Sequence, residues 1–331
     1  MIRFLRQTAV AVAFLATAAG AQSALGQGVI RIDGSSTVYP VTEAVAEEYA
    51  KERGAAKVTV GVSGTGGGFK KFTRGEIDIS DASRPILAKE MDEARKYGIE
   101  YIELPVAFDA LTVVVNPQNT WAKNMTVAEL KKIWAPEAQG KIKSWKDVNP
   151  AWPDVPLKLF GPGTDSGTFD YFTEAVVGKA KSSRSDFTPS EDDNVLVQGV
   201  AGDKGALGYF GFAYYADNKD KLQAVAVDNG KGPVAPSEKA VLDGTYAPLS
   251  RPIFIYVNKK SLQRPEVRKF VNFYLSGAPD LTKKVKYVPL PDEIYEKGLA
   301  RVQAGQTGTA YAGASDTGMK IHELFSRPLK Q

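Results

Sequence analysis

The chain contains no cysteine and only one histidine, His322. Without cysteine, the protein has no disulfides, no thiolate metal ligands, no cysteine nucleophile and no lipid-modified N-terminal cysteine. A single histidine excludes a cluster of imidazole metal ligands, and a Ser-His-acid triad would depend on that one residue. We therefore expect no metal, no cofactor and no catalytic residues.

Long apolar runs and dense charge are also scarce. The apolar run Ala9–Ala19 follows Arg3 and Arg6 and precedes small residues, which is the pattern of a secretory signal peptide over residues 1–24. We expect this segment to be cleaved and the mature protein to be exported and soluble. The formal net charge is +4 and the basic residues are scattered, so no nucleic-acid partner is expected.

Three segments place glycines and hydroxyl residues immediately before an amphipathic helix: Gly34–Thr37, Ser63–Gly68 and Gly161–Thr168. The first N–H groups of a helix are unpaired and carry about half a positive charge. Glycine lets an anion approach the backbone, and Ser and Thr add hydroxyl donors. One such segment is an ordinary helix cap, but three predict that several helix starts converge on one small oxyanion.

The order of elements predicts an α/β fold. Strands over Val29–Ile32 and Val58–Val62 alternate with helices over Val38–Arg53 and Gly67–Arg74, and Pro85 suits the first turn of a further helix. A strand-loop-helix order implies a parallel or mixed sheet that binds ligands at the carboxyl ends of its strands.

Two later segments, Asp109–Asn116 and Arg251–Asn258, echo each other, because each is a β-branched or aromatic run that ends at asparagine. Such runs are typical of strands buried on both faces. They are either two unrelated core strands or the two points where the chain crosses between lobes. We favour the second interpretation, with lobe 1 formed by residues 25–114 plus 255–331 and lobe 2 by residues 115–254.

Ordered motifs make the chain similar to a known family. They are DGSSTVYP over residues 33–40, SGTGGGFKKF over 63–72, DASRP over 81–85, FGPGTDSGTF over 160–169 and GALGY over 205–209. Together they resemble the PstS family of periplasmic phosphate-binding proteins, which supply a phosphate ABC transporter. The resemblance covers the chain from about Val29 to about Tyr287 and implies a two-lobed, type II-like periplasmic binding protein fold with two crossover strands.

The resemblance also implies a ligand, a partner and a set of contacts. The ligand is inorganic phosphate, the partner is an inner-membrane phosphate ABC permease, the location is periplasmic and the protein is a monomer. The positions that match the family's contacts lie in the three loops and in the DASRP segment. The implied phosphate-binding residues are Ser36, Thr37, Val38, Ser63, Thr65, Ser83, Arg84, Asp165, Ser166, Gly167 and Thr168.

The chain departs from the better-known branch of this family at two positions. That branch has an aspartate and an arginine where this chain has Ser83 and Pro162. Because Arg84 and Asp165 stand close by in the same two loops, we infer that the two charged groups have exchanged sides of the cleft. We expect an acid in the site, either Asp81 or Asp165, to accept a hydrogen bond from the O–H of hydrogen phosphate and to repel sulfate, which has no proton.

Three other functions fit the sequence less well. A receptor for another tetrahedral oxyanion such as sulfate is disfavoured by the acid near the loops. A secreted phosphate-ester hydrolase would need His322 to reach the cleft, and no G-x-S-x-G elbow occurs. For a nucleotide-binding enzyme, Gly161–Thr168 lacks the P-loop lysine and Gly64–Phe69 lacks the last glycine of the dinucleotide fingerprint.

Overall fold

The computed structural model describes residues 28–164, 166–190, 192–313 and 321–331. The predicted signal peptide and Asp165 lie outside these ranges. The strands are, in chain order, β1 (Ile30–Gly34), β2 (Val58–Val62), β3 (Ile79–Ala82), β4 (Tyr101–Val115), β5 (Asn124–Thr126), β6 (Lys158–Pro162), β7 (Thr188–Ser190), β8 (Ala206–Gly211), β9 (Gln223–Ala224), β10 (Ala226–Asp228), β11 (Pro233–Val234) and β12 (Ser250–Asn258).

Most of these strands form one large mixed sheet. Its order is β2-β1-β3-β12-β4-β8-β6-β7, and β9 pairs with β4. β1 is parallel to β2 and β3, and β6 is parallel to β7 and β8. In contrast, β12 and β4 are antiparallel to each other, β12 to β3 and β4 to β8. The predicted parallel or mixed sheet is confirmed. A separate small sheet has the order β11-β10-β5.

The strand β4 joins the two halves of the large sheet. It is 15 residues long and buried along its whole length. Tyr101–Ala110 pairs with β12, and Leu111–Val115 pairs with β8. The two echoed segments therefore lie on neighbouring strands at the point where the chain passes between the halves, and Arg251 stands opposite Asp109. The exact lobe boundaries stay a prediction.

Helices are interspersed with these strands along the chain. They are α1 (Tyr39–Tyr49), α2 (Gly64–Phe72), α3 (Ala88–Lys96), α4 (Val127–Trp134), α5 (Trp145–Val148), α6 (Gly167–Phe172), α7 (Asp193–Ala201), α8 (Phe212–Asp217), α9 (Glu238–Leu242), α10 (Pro265–Lys284) and α11 (Asp292–Ala304). A π-helical turn over Thr173–Val177 extends α6. The largest cluster of buried apolar side chains follows β4 from Ile102 to Val115 and reaches both halves of the sheet.

No helix in the described ranges combines the length and the apolar character needed to cross a bilayer.

The helix predicted over Val38–Arg53 spans Tyr39–Tyr49, and α2 and α3 also begin at residues that differ from the predicted ones. α2 starts at Gly64, inside the glycine-rich segment, and its Gly68 packs against the end of β1, where a Cβ would lie 2.6 Å from the Gly34 Cα. α3 starts at Ala88, beyond Pro85, because the Glu90 carboxylate accepts the Leu87 N–H at 2.9 Å and caps the helix there.

Candidate functional site

The first loop, which follows β1, turns sharply over the end of β3. Gly34 has a φ of +149°, and a Cβ there would lie 2.1 Å from the Asp81 carbonyl oxygen, so this close approach requires glycine. The Ser35 N–H donates to that carbonyl at 3.0 Å. The Ser35 hydroxyl then accepts the Thr37 N–H at 3.2 Å, which fixes the backbone of the predicted binding residue Thr37.

The second loop brings predicted hydroxyl residues together. The Thr65 and Ser83 hydroxyls lie 2.9 Å apart, and the Ser83 N–H donates to the Thr65 hydroxyl at 3.1 Å. The Asp33 carboxylate accepts hydrogen bonds from the Ser63 hydroxyl and from Lys71 Nζ. The contacts of Asp33 hold both ends of α2 against β1. The Thr65 and Ser83 hydroxyls lie side by side at the start of this helix.

The third loop meets the first one from the other half of the sheet. Ser166 is the N-cap of α6, and its hydroxyl accepts the Thr168 N–H at 3.1 Å. The Thr37 hydroxyl donates to the Gly167 carbonyl at 3.2 Å. A Cβ on Gly167 would lie 2.5 Å from the Thr37 nitrogen. The structure thus places Thr37 in direct contact with the start of α6.

The Arg84 guanidinium is bonded to protein groups. Its Nη1 and Nη2 donate to the two Glu90 carboxylate oxygens at 2.9 and 2.8 Å, and Nη1 also donates to the Pro85 carbonyl at 3.0 Å. The guanidinium carbon lies 5.5 Å from the centroid of the Phe69 ring. The expected anion contact of Arg84 would therefore have to share the guanidinium with Glu90, and that contact stays a prediction.

The remaining predicted residues differ in what their backbone and side chains already contact. The Val38 N–H donates to the Ser35 carbonyl at 3.2 Å, so this group closes the turn of the first loop. Ser36 is half-buried in that same turn. Asp165 lies outside the described residues, and its role as the acid of the site stays a prediction.

Asp81, the other candidate acid, is completely buried behind the first loop. Within the described ranges, neither carboxyl oxygen has a hydrogen-bond partner, and the neighbouring Thr42 hydroxyl pairs with the Tyr274 hydroxyl at 2.9 Å. Burial raises the pKa of Asp81 to about 8, and the Asp33 charge acts in the same direction, although Thr42 lowers it. Asp81 is then mostly protonated at neutral pH, which does not favour it as the acceptor of a hydrogen bond from the phosphate O–H.

A group of side chains that the sequence interpretation missed lies where the paired strands β4 and β12 pass between the two halves of the sheet. We call it the crossover cluster: Asp109, Tyr171, Glu174, Arg251 and Tyr287. Arg251 Nε is 3.9 Å from Asp109 Oδ2, its Nη1 is 3.1 Å from Glu174 Oε2, and its guanidinium carbon is 3.5 Å from the centroid of the Tyr171 ring. Burial raises the pKa of Asp109 to about 6, and the Arg251 charge counteracts this effect.

The crossover cluster is connected to the first loop through Tyr287. The Tyr287 hydroxyl donates to the Thr37 carbonyl at 2.8 Å. An antiparallel bridge between Phe108 and Val288 places Tyr287 beside Asp109. One sequence signal pointed here, since Asp109 and Arg251 are the charged first residues of the two echoed apolar segments.

His322 lies on the surface. More than half of its side chain is exposed, and its Nδ1 is 2.6 Å from Glu293 Oε1. Its neighbours line a separate cavity that includes Lys297 and Phe325.

Comparison with known proteins assigns the family. A model described as a PBP superfamily domain matches residues 19–278. The chain is 53% identical over 308 residues to Protein SphX of Synechococcus elongatus, covering 93% of this chain and 90% of the relative. It is 40% identical over 275 residues to the phosphate-binding protein PstS of Staphylococcus haemolyticus, covering 82% and 84% of the two chains.

The chain belongs to the PstS family of phosphate-binding proteins.

Solved structures agree with this assignment. A possible phosphate binding protein from Planctomyces limnophilus superposes with a TM-score of 0.81 at 53% identity, covering 85% of this chain and 99% of that one. A protein of Clostridium perfringens, assigned as a phosphate ABC transporter substrate-binding protein and solved with bound phosphate, has a TM-score of 0.56 at 26% identity, with coverages of 80% and 100%. The predicted two-lobed periplasmic binding protein fold is confirmed.

Proposed function

We propose that this protein binds inorganic phosphate in the cleft between its two lobes and delivers it to an ABC transporter permease. The observation that carries the proposal is the contact between Thr37 and Gly167, at 3.2 Å between hydroxyl and carbonyl. It joins two helix-start loops that come from opposite halves of the sheet. Helix starts present N–H groups and partial positive charge, which suit a small anion.

The neighbouring groups suit a tetrahedral ion with several oxygens. The Thr65 and Ser83 hydroxyls stand together at the start of α2, and Ser166 and Thr168 contribute hydroxyls at the start of α6. Each oxygen of phosphate accepts hydrogen bonds, so many neutral donors can hold it once the lobes exclude water. The PstS relative is named a phosphate-binding protein, and the Clostridium structure contains phosphate.

The function is binding and release, without chemistry. His322 pairs with Glu293 on the surface, so a triad with Ser166 has no support in the geometry. Closure of the lobes around the ion distinguishes the loaded from the empty receptor, and the permease recognises the loaded form. We also propose that the signal peptide is removed and that the exported protein is a monomer in the periplasm.

A calorimetric titration with phosphate and with sulfate tests the ligand assignment. We expect one phosphate per chain and sulfate binding at least about a hundredfold weaker, equivalent to roughly 3 kcal/mol. Equal binding of both anions would replace the assignment by a general oxyanion receptor.

Turnover assays with phosphate esters and nucleotides test the absence of chemistry. We expect no hydrolysis, because no activated nucleophile is visible in the described ranges. Steady hydrolysis that disappears in Ser166→Ala or His322→Ala would contradict the proposal and revive the hydrolase alternative.

A further inference from the structure

The Arg251 side chain is half-buried, and the hydrogen bonding of its guanidinium is incomplete. Within the part of the chain that the structure describes, Arg251 Nε and Asp109 Oδ2 are both buried without a hydrogen-bond partner, and they lie 3.9 Å apart. The buried Arg184 differs, because its Nε and Nη2 donate to Asp186 at 2.5 and 2.9 Å. Buried polar atoms without a hydrogen-bond partner cost free energy, so other contacts must hold Arg251 in this place.

Those other contacts are with α6 and its π-helical extension. The Arg251 guanidinium stacks on the Tyr171 ring at 3.5 Å from the centroid, and Nη1 reaches Glu174 at 3.1 Å. The Tyr171 hydroxyl also donates to the carbonyl of Pro248 at 2.8 Å, three residues before Arg251. The segment that leads into β12 therefore holds one side of α6 by stacking, an ion pair and a hydrogen bond.

The start of α6 lies at the candidate anion site. Tyr171 lies one turn after Gly167, whose carbonyl accepts the Thr37 hydroxyl at 3.2 Å. In the crossover cluster, Tyr287 stands beside Asp109 and donates to the Thr37 carbonyl at 2.8 Å. Both partners of the contact between the lobes are thus tied to the point where the paired strands β4 and β12 pass between the halves of the sheet.

We propose that Arg251, together with Asp109, is a positioning pair that holds the start of α6 over the Thr37 loop and thereby prolongs the lifetime of bound phosphate. The inference rests on the proposed function. Arg251 acts through α6 and does not touch the ion. Its planar guanidinium stacks and forms an ion pair at the same time, which a lysine cannot do.

Stopped-flow measurement of phosphate association and dissociation tests the pair. In Arg251→Gln we expect dissociation to be about tenfold faster or more, with association within about twofold of the parent, because interface changes act mostly on dissociation. The ratio of phosphate to sulfate affinity should not change. Arg251→Lys keeps the ion pair with Glu174 but loses the stacking, so its dissociation rate should be intermediate.

Two further variants keep the test decisive. Glu174 is half-exposed, so Glu174→Gln should fold normally, and we expect its dissociation to be about twofold to fivefold faster. Asp186→Asn removes the partner of a buried arginine away from the crossover cluster and is the matched control. It should lower stability and leave both rate constants unchanged.

Several outcomes would overturn the inference. Parental dissociation rates in both Arg251→Gln and Glu174→Gln would do so, and so would a changed ratio of phosphate to sulfate affinity, which indicates direct contact with the ion. If the parent itself binds no phosphate, the proposed function fails. Small-angle scattering of the ligand-free protein then decides the positioning role: a larger radius of gyration in Arg251→Gln supports it, and an unchanged radius rejects it.

Discussion

The guanidinium of Arg84 has two candidate partners, the anion expected from the sequence and the Glu90 carboxylate that both of its terminal nitrogens contact. If Arg84 donates to phosphate in the closed cleft, Arg84→Ala should weaken binding about tenfold to several hundredfold, since hydrogen bonds to charged groups contribute roughly 1.5–3 kcal/mol each. Arg84→Lys should recover only part of this loss, because lysine lacks the fork. Titration calorimetry measures both effects.

Glu90→Gln is the control that separates the two partners of Arg84. It weakens the ion pair and leaves the guanidinium available, so phosphate affinity should stay close to that of the parent. Parental affinity in Arg84→Ala, or equal losses in Arg84→Ala and Glu90→Gln, would show that Arg84 shapes its loop and does not donate to the ion.

Asp81 makes stability depend on pH in a definite direction. Its pKa is raised from 3.8 to about 8 in the folded protein, so the folded state holds this proton more tightly than the unfolded state. The resulting stabilisation is complete below about pH 4 and is lost as the pH rises through about 8. Asp81→Asn keeps the shape without the titration, so its free energy of unfolding should fall less between pH 5 and pH 8 than that of the parent. Urea unfolding at both pH values measures the difference.

The comparison isolates Asp81 because Asp109 and Glu103, whose pKa values are also raised by burial, are present in both proteins. Parallel pH dependences in the parent and in Asp81→Asn would mean that Asp81 is ionised in the folded state.

At the scale of the elements, Gly167 sets how closely α6 approaches the first loop. A Cβ there would lie 2.5 Å from the Thr37 nitrogen, so Gly167→Ala must push the helix start away from the loop. We expect phosphate affinity to fall about tenfold or more, because a small displacement of positioned groups is costly. The free energy of unfolding should change little, because the better helix propensity of alanine, about 0.5–1 kcal/mol over glycine, offsets part of the cost of the displacement.

Gly298→Ala in α11 is the matched control for Gly167→Ala. A Cβ at Gly298 meets neighbouring leucine atoms at 3.5 Å or more, which is ordinary contact. This variant should keep the phosphate affinity of the parent. If Gly167→Ala also binds like the parent, the contact between α6 and the first loop has no part in binding.

The elements that the sequence predicts well are those with local causes. Val58–Val62 is a strand with the predicted bounds because four of its five residues are β-branched and favour extended backbone locally, although none of them is buried. The prediction that α3 starts near Pro85 is wrong, because the Glu90 carboxylate accepts the Leu87 N–H and caps the helix there. How closely α2 lies against β1 depends on the contact of Gly68 with Gly34, which no local pattern contains.

The residues of the candidate site likewise fall into two groups, those with a local sequence signal and those whose contacts depend on the tertiary fold. The three loops could be predicted because helix starts with glycines and hydroxyls are local features, and the structure brings Thr37 and Gly167 together. The crossover cluster could not be predicted, because the pairing of Asp109 with Arg251 depends on the register of two strands far apart in sequence. The partner of Arg84 was also missed, since nothing local says that its guanidinium points to Glu90.

At the scale of the whole molecule, an ion that binds between the lobes should increase the free energy of unfolding. A ligand that binds only the folded state stabilises it by about 2.7 kcal/mol at a hundred times its Kd. We therefore expect phosphate to raise the melting temperature progressively with concentration, and sulfate at the same ionic strength to have little effect. Differential scanning calorimetry checks this expectation, and equal shifts with both salts would point to a general salt effect.

We propose that one phosphate ion lies between the two lobes, at the place where the first loop meets α6. A crystal structure of the protein grown with phosphate shows whether it does. We expect a single ion within hydrogen-bond distance of the first loop at Thr37 and of the helix start at Ser166–Thr168. An ion bound only elsewhere, such as in the basic groove between α2 and α3 lined by Lys70 and Lys89, would contradict it.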